Sequence, residues 1–190
     1  WNIRGQALWE PSEEVRLRFI ADYSKIDELC CGVTNILNGP TSGIIQAIAG
    51  ADALIDDTDP FGYISPINET PINEITDYGF SFQADVDFDG WALTSISSFR
   101  SNDSFNDTEP DYTAATLLDS ANNLAEIDTW TQEIRLQSTG DNKLDWMVGG
   151  YYFKEDILQV QGLEYGDMAR PYIGLLAAGD PNFFAGLEPI

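Results

Sequence analysis

The chain has no histidine, and its two cysteines are neighbours, Cys30 and Cys31. Zinc sites space their thiolates and add further ligands, so Cys/His metal chemistry is excluded, and so is a Ser-His-Asp nucleophile. Cations are scarce too: 9 Lys+Arg stand against 32 Asp+Glu, a formal net charge of -23 at pH 7. Phosphate recognition needs clustered positive charge, which argues against a nucleic-acid partner. Long apolar runs are missing. The best window, GIIQAIAGADALI at 43–55, falls short of the roughly 18 residues of a membrane helix and is broken by Gln46, Gly50 and Asp52. The opening WNIRG has neither the basic start nor the apolar core of a signal peptide. Both chain ends fall in mid-pattern, as expected of a segment of a longer chain. No phosphate-cradling glycine loop is present, and a carboxylate pair for glycoside hydrolysis needs a spacing and a raised pKa that sequence does not display. The expectation is a protein that is not an enzyme and has no cofactor.

What is present is apolar and periodic. With 43% hydrophobic and 12% aromatic residues, the chain is not the disordered polyanion its charge alone would suggest. Residues 15–24 (VRLRFIADYS) alternate, Val15, Leu17, Phe19, Ala21 and Tyr23 on one face and Arg16, Arg18, Ile20, Asp22 and Ser24 on the other, which is strand period. Pro11 and its charged neighbours make the turn that joins this strand to residues 2–9. Residues 78–88 alternate most cleanly and run through Asp89-Gly90, a favoured two-residue hairpin turn, into 91–100. A third hairpin pairs 129–138 with 145–161 around Gly140. The predicted hairpins are 2–27, 76–101 and 129–161, separated by loops at 28–75, 102–128 and 162–190, with one short helix at 44–55.

Short turns thus alternate with long connections. Loops beyond about 12 to 15 residues need a reason in a compact domain, and an outer-membrane barrel supplies one, with short periplasmic turns and long external loops. Trp91 to Phe99 and Trp146 to Phe153 place aromatics about 8 residues apart, roughly 26 Å along a strand at about 3.3 Å per residue. At a tilt of about 40° this spans roughly 20 Å of bilayer normal, near the ~25 Å apolar band of a barrel. Trp9, Phe88, Trp91 and Trp146 stand beside the short turns, and Tyr23, Tyr78, Phe99 and Trp130 toward the long loops, as two aromatic girdles would. The fold class predicted is all-β, an antiparallel up-and-down transmembrane β-barrel segment. The competing reading is a soluble or surface β-sandwich that binds a glycan or protein through loops at one end.

The third hairpin, TQEIRLQS at 131–138, a short polar turn, then LDWMVGGYYF at 144–153, resembles a stretch of TonB-dependent receptors. The strand WALTSISSFR at 91–100 looks like a strand of that family ending in aromatic-Arg, and RGQ at 4–6 through Asp22-Tyr23 with Cys30-Cys31 looks like its upstream hairpin. The resemblance covers about two-thirds of the chain, all but the long loops. It implies a 22-stranded outer-membrane transporter with an N-terminal plug, taking up siderophore-iron, cobalamin or glycans with energy from the TonB complex. The implied partners are outer-membrane lipid, lipopolysaccharide, the TonB complex through a plug region outside these residues, and a small-molecule or glycan ligand. The implied location is the bacterial outer membrane. Six strands cannot close a barrel of that size, so the segment would not transport alone.

Several side chains are candidates for special roles. Cys30 and Cys31 admit three states: a bond to each other in an oxidising compartment, bonds to cysteines elsewhere in a longer chain, or two free thiols. Arg16, Arg18 and Arg135 alternate with apolar residues on strands and, facing a barrel lumen, would pair with Asp22, Asp85 or Glu133 or help an anionic ligand pass. Asp85 to Gly90 starts like a calcium-hand loop, but its twelfth position is Ile96 where the bidentate Glu belongs, so a hairpin is expected. The acidic stretches at 56–59 and 103–111 offer oxygens that calcium would accept, though no spacing dictates a coordination shell and solvated loops are the plainer expectation.

Overall fold

The computed structural model describes residues 1–54, 57–141 and 143–186. Six strands, β1 (Asn2–Ser12), β2 (Val15–Glu28), β3 (Ile72–Phe88), β4 (Trp91–Thr108), β5 (Leu118–Ser138) and β6 (Met147–Tyr165), form one sheet in chain order. The sheet is an antiparallel up-and-down array that is not closed into a barrel. All six strands share this single sheet, so the two-sheet sandwich is not what the described residues build. Two short helices, α1 (Ser42–Ala49) and α2 (Ala169–Ala178), lie in the connections.

Each hairpin follows from its turn chemistry. Between β1 and β2 the register passes from Trp9 opposite Leu17 to Ser12 opposite Val15 through an irregularity. Pro11 sits inside it, where a residue without an N–H is tolerated. Gly90 adopts φ 79° between β3 and β4, a left-handed angle that suits glycine, and Phe88 stacks on Trp91 across the turn at 4.0 Å. Gly140, at φ 90°, turns β5 toward β6, and the Ser138 amide donates to the Trp146 carbonyl at 2.9 Å. Asn142, placed in this turn by the sequence reading, lies outside the described residues.

The strands outrun the predicted hairpins. β4 continues to Thr108 and β5 starts at Leu118, so the loop expected at 102–128 contracts to 109–117. β6 reaches Tyr165, and α2 occupies part of the loop expected after residue 161. The cause is compositional: SNDSFNDT at 101–108 and LDSANNLAEID at 118–128 are polar on both faces. A strand polar on both faces has no apolar/polar alternation to betray it. The helix expected at 44–55 is instead α1 followed by a 3-10 turn at Ala51–Ala53. Gly50 separates them at φ 94°, and Ile55 lies outside the described residues. Asp85 and Asp87 lie in β3, so the calcium-hand look-alike is strand and hairpin.

Two compact units divide the chain. The first comprises Trp1–Asp27, Glu74–Ser104 and Leu124–Gln159, and the second Glu28–Asn73, Phe105–Asn123 and Val160–Ile190. Among the described residues, Ala92 is the one buried hydrophobic in the first unit. The second unit has a small core of Ile45, Ala53 and Ala115, with Leu117, Met168 and Tyr172 packed against it. Backbone bonds close around that core: Ala114 N to Ala53 O, Gly166 N to Leu117 O and Met168 N to Thr116 O, each 3.0 Å.

Candidate functional site

Strand alternation sorts the side chains of the first unit into two unlike faces. On one, Trp1 stacks on Tyr23 (5.2 Å between ring centroids) and Tyr23 on Tyr78 (6.4 Å). Tyr78 meets Phe99 (6.1 Å), and Phe99 meets Trp130 (4.6 Å), which also receives Phe80 edge-on. This ladder crosses β2, β3, β4 and β5 without a covering layer. Tyr78, Phe80 and Trp130 remain 40 to 48% exposed, although rings of this size dominate any core they enter. On β6 the use of the Trp146-to-Phe153 interval as a span of the apolar band needs correction. Glu155 accepts from the Thr129 hydroxyl at 3.2 Å, and a Cβ on Gly149 would touch Arg135. Phe153, lying between them at strand period, shares the polar face. Lys154, paired with Asp156 at 2.6 Å, takes the aromatic face instead, because an odd separation along a strand reverses the side.

The opposite face is polar and internally paired. Asp22 receives Arg100, whose guanidinium also pairs with Asp77, so the cation facing Asp22 comes from β4 rather than from Arg16 or Arg18. Arg4 stands across from Asp22 in the β1/β2 register, and Arg18 across from Leu8. Arg16 pairs with Glu10 at 2.9 Å. Arg135 pairs with Glu133 at 2.8 Å. Asp85 accepts from Thr94 (2.7 Å) and Gln83 (2.8 Å), and among the described residues no arginine is hydrogen-bonded to it. A hydroxyl contact continues the pattern, Ser98 with Thr131, while Ser97 and Gln132, in step with Phe99 and Trp130, bond on the aromatic face.

Cys30 and Cys31 are bonded to each other, with Cys31 at φ 76°. Of the acidic stretch at 56–59, Asp57 accepts from the Asn38 amide at 2.7 Å, and Asp56 lies outside the described residues.

The second unit contains a cavity of about 330 Å³ that sequence reasoning did not assemble. It lies at the strand ends remote from the hairpin turns: Ile72 on β3, Asp107 and Thr108 on β4, Asp119 and Ser120 on β5, Glu164 on β6, with Glu69, Thr70 and Glu109 from the connections. Five of these residues are carboxylates and none is a lysine or arginine. Glu109 is only 1% exposed. One of its oxygens accepts from the Thr113 amide at 3.4 Å, and the other, as a carboxylate, has no partner. Burial, then the hydrogen bond and charge of Asp111, push the Glu109 carboxyl up to about 8, so at neutral pH it retains a proton to share with Asp111. Asp111 itself is fully engaged, accepting from Thr113 N, Thr113 Oγ1, Leu117 N and Leu118 N at 2.7–3.2 Å. Asp119 Oδ1 is a second buried oxygen without a donor. Gly166 lies against it, so that a Cβ there would come within 2.5 Å. Asp107, Glu109 and Asp111 belong to the stretch singled out at 103–111. Asp119 and Glu164 carried no sequence signal, because only the pairing of β4, β5 and β6 brings them there. Among the described residues no three acidic side chains converge as a metal ion would require.

No protein-family model, curated protein or solved structure matches the chain.

Proposed function

We propose that these residues are wall strands and external loops of a TonB-dependent outer-membrane receptor, which takes up a scarce ligand such as a siderophore-iron complex, cobalamin or a glycan. The observation that carries the reading is a single antiparallel sheet whose aromatic ladder has no protein layer over it. Exposed apolar surface on this scale mostly marks a partner or a membrane. A sheet can meet lipid only if its backbone groups are paired within a closed array, and β1 and β6 each present a free edge for further strands of a barrel. Lys154 and Asp156 flanking the ladder suit the level where hydrocarbon gives way to headgroups. The opposite face, with its matched Arg100, Asp22 and Asp77, suits a wet lumen. A bond between Cys30 and Cys31 fits the oxidising side of a bacterial envelope.

Uptake would need the remaining strands and the plug that engages TonB, neither of which these 190 residues contain. The segment has no chemistry of its own in this reading; its part is to line the passage and present loops to the ligand. The test is fractionation of the full-length protein. It should appear in outer membranes, require detergent for extraction and run faster on a gel unheated than boiled. Release into buffer without detergent, with no heat-dependent shift, overturns the reading.

A further inference from the structure

We propose that the acidic cavity at the far ends of β3 to β6 binds a small organic cation, a ligand carrying ammonium or guanidinium N–H donors. The proposal deepens the receptor reading by naming the chemistry recognised among the loops, and rests on that reading only for the cavity's location outside the cell.

Apart from Ile72 the lining residues carry oxygen side chains, and the charged ones are of one sign. Some of it is already committed: the Ser120 hydroxyl donates to Asp107 at 2.7 Å, and the Thr108 hydroxyl to the Ala121 carbonyl at 3.5 Å. Two buried acceptors are left over, Glu109 Oε2 and Asp119 Oδ1. Burying an ionised carboxylate oxygen without a donor is strongly unfavourable, and the lining has no cation to offer one, so without ligand Glu109 is driven to hold a proton. A ligand that brings N–H donors supplies what both atoms lack, through charge-assisted bonds roughly twice as strong as neutral ones. Acceptors that do not converge on a point match donors spread along a molecule better than a single ion. The volume, about 330 Å³, lies at the small end of ligand cavities, which run from about 300 to 1,000 Å³. Without ligand, Glu109 relieves its burial by sharing a proton with Asp111. A bound cation replaces that proton, so binding releases it to solvent.

The experiment is calorimetric titration of the full-length protein in detergent micelles at pH 7 with agmatine, which carries an ammonium and a guanidinium group. Putrescine and calcium chloride are run in parallel. Agmatine should bind saturably and release up to one proton, seen by repeating the titration in two buffers of different ionisation enthalpy. Glu109→Gln and Asp119→Asn should each weaken binding about tenfold or more, and Glu109→Gln should also abolish the proton release. Lys154→Ala should change neither. Absence of saturable amine binding, amine binding indifferent to both variants, or calcium binding that amines do not displace would each overturn the proposal. Heat-dependent gel mobility of the same samples reports the barrel separately. Agmatine binding by a protein without the gel shift would uphold the cavity and sink the receptor reading, while a shift without agmatine binding would do the reverse. The shift also establishes that each variant has folded.

Discussion

In the unit around the hairpin turns, large apolar side chains such as Phe80, Phe82 and Trp130 lie on the surface, whereas the unit formed by strand ends and connections gathers Ile45, Ala53 and Ala115 inside. The first is held by ladder hydrogen bonds, cross-strand ring contacts and ion pairs, without a core. The second is held as ordinary soluble domains are, by burial and by a hub, Asp111, that ties down four donors. On the receptor reading proposed above, the difference teaches that one chain is written for two solvents. Apolar surface is an expense to the first unit in water and, on the proposed reading, a source of stability in lipid; the second buries a small core yet leaves Ile36, Leu37, Phe61 and Tyr63 exposed in its connections.

The sharpest way to break this contrast is a charge on the aromatic face. Phe82→Arg should destabilise folding into lipid vesicles by about 2–4 kcal/mol, the cost of Arg near a bilayer midplane, read from denaturant titration. The neighbouring Gln83→Arg on the polar face should stay within about 1 kcal/mol. A soluble sheet would tolerate both equally. Next in size is Asp111→Ala, which strands several donors at once and should cost about 2–3 kcal/mol. Hydrogen exchange should show the loss at the Thr113, Leu117 and Leu118 amides while amides near Gly90 keep their protection. A smaller effect separates the units by pH. Because the folded state raises the Glu109 carboxyl to about 8, the folded form binds the extra proton. This contribution is fully present below the ordinary glutamate range and is lost as pH rises through about 8. Protection at Thr113 and Leu117 should therefore fall between pH 5 and pH 8 and then level off, and Glu109→Gln should flatten the profile. The least effect is expected from Arg16→Ala. Its pairing with Glu10 is more than half exposed on both sides, and exposed pairs contribute at most about 1 kcal/mol.

The two units were also unequally legible in sequence. The turn-proximal hairpins are written in period two and in Pro11, Asp89-Gly90 and Gly140, and the faces follow from counting. The distal halves of β4 and β5 are not legible, since polar residues on both faces erase the period. α2 carried a usable signal, Pro171 in its first turn and Gly179 just past its end at φ 69°, within a stretch read as loop. The cavity could not be read from sequence. Glu69, Glu109, Asp119 and Glu164 are scattered along the chain and meet only through strand pairing that the sequence did not reveal at those positions. Phe153 shows the reverse hazard, where spacing by length alone ignored parity.

Gly79 sets how firmly the strands are indexed against one another. A Cβ there would press to 2.8 Å from the Phe99 carbonyl and 3.5 Å from the Arg100 guanidinium carbon. Its absence lets Arg100, on β4, lie flat across β3 and reach Asp22 on β2. The side chain is thus a crossbar over three strands, and sliding any one of them by a residue detaches it from at least one end. Along the aromatic face the rings oppose such a slip little, since they accept neighbours at several offsets, and the directional contact there is Gln132 with Ser95 and Ser97. The glycine and the arginine together give the aromatic-faced sheet a fixed zero mark from which the places of its strands are counted.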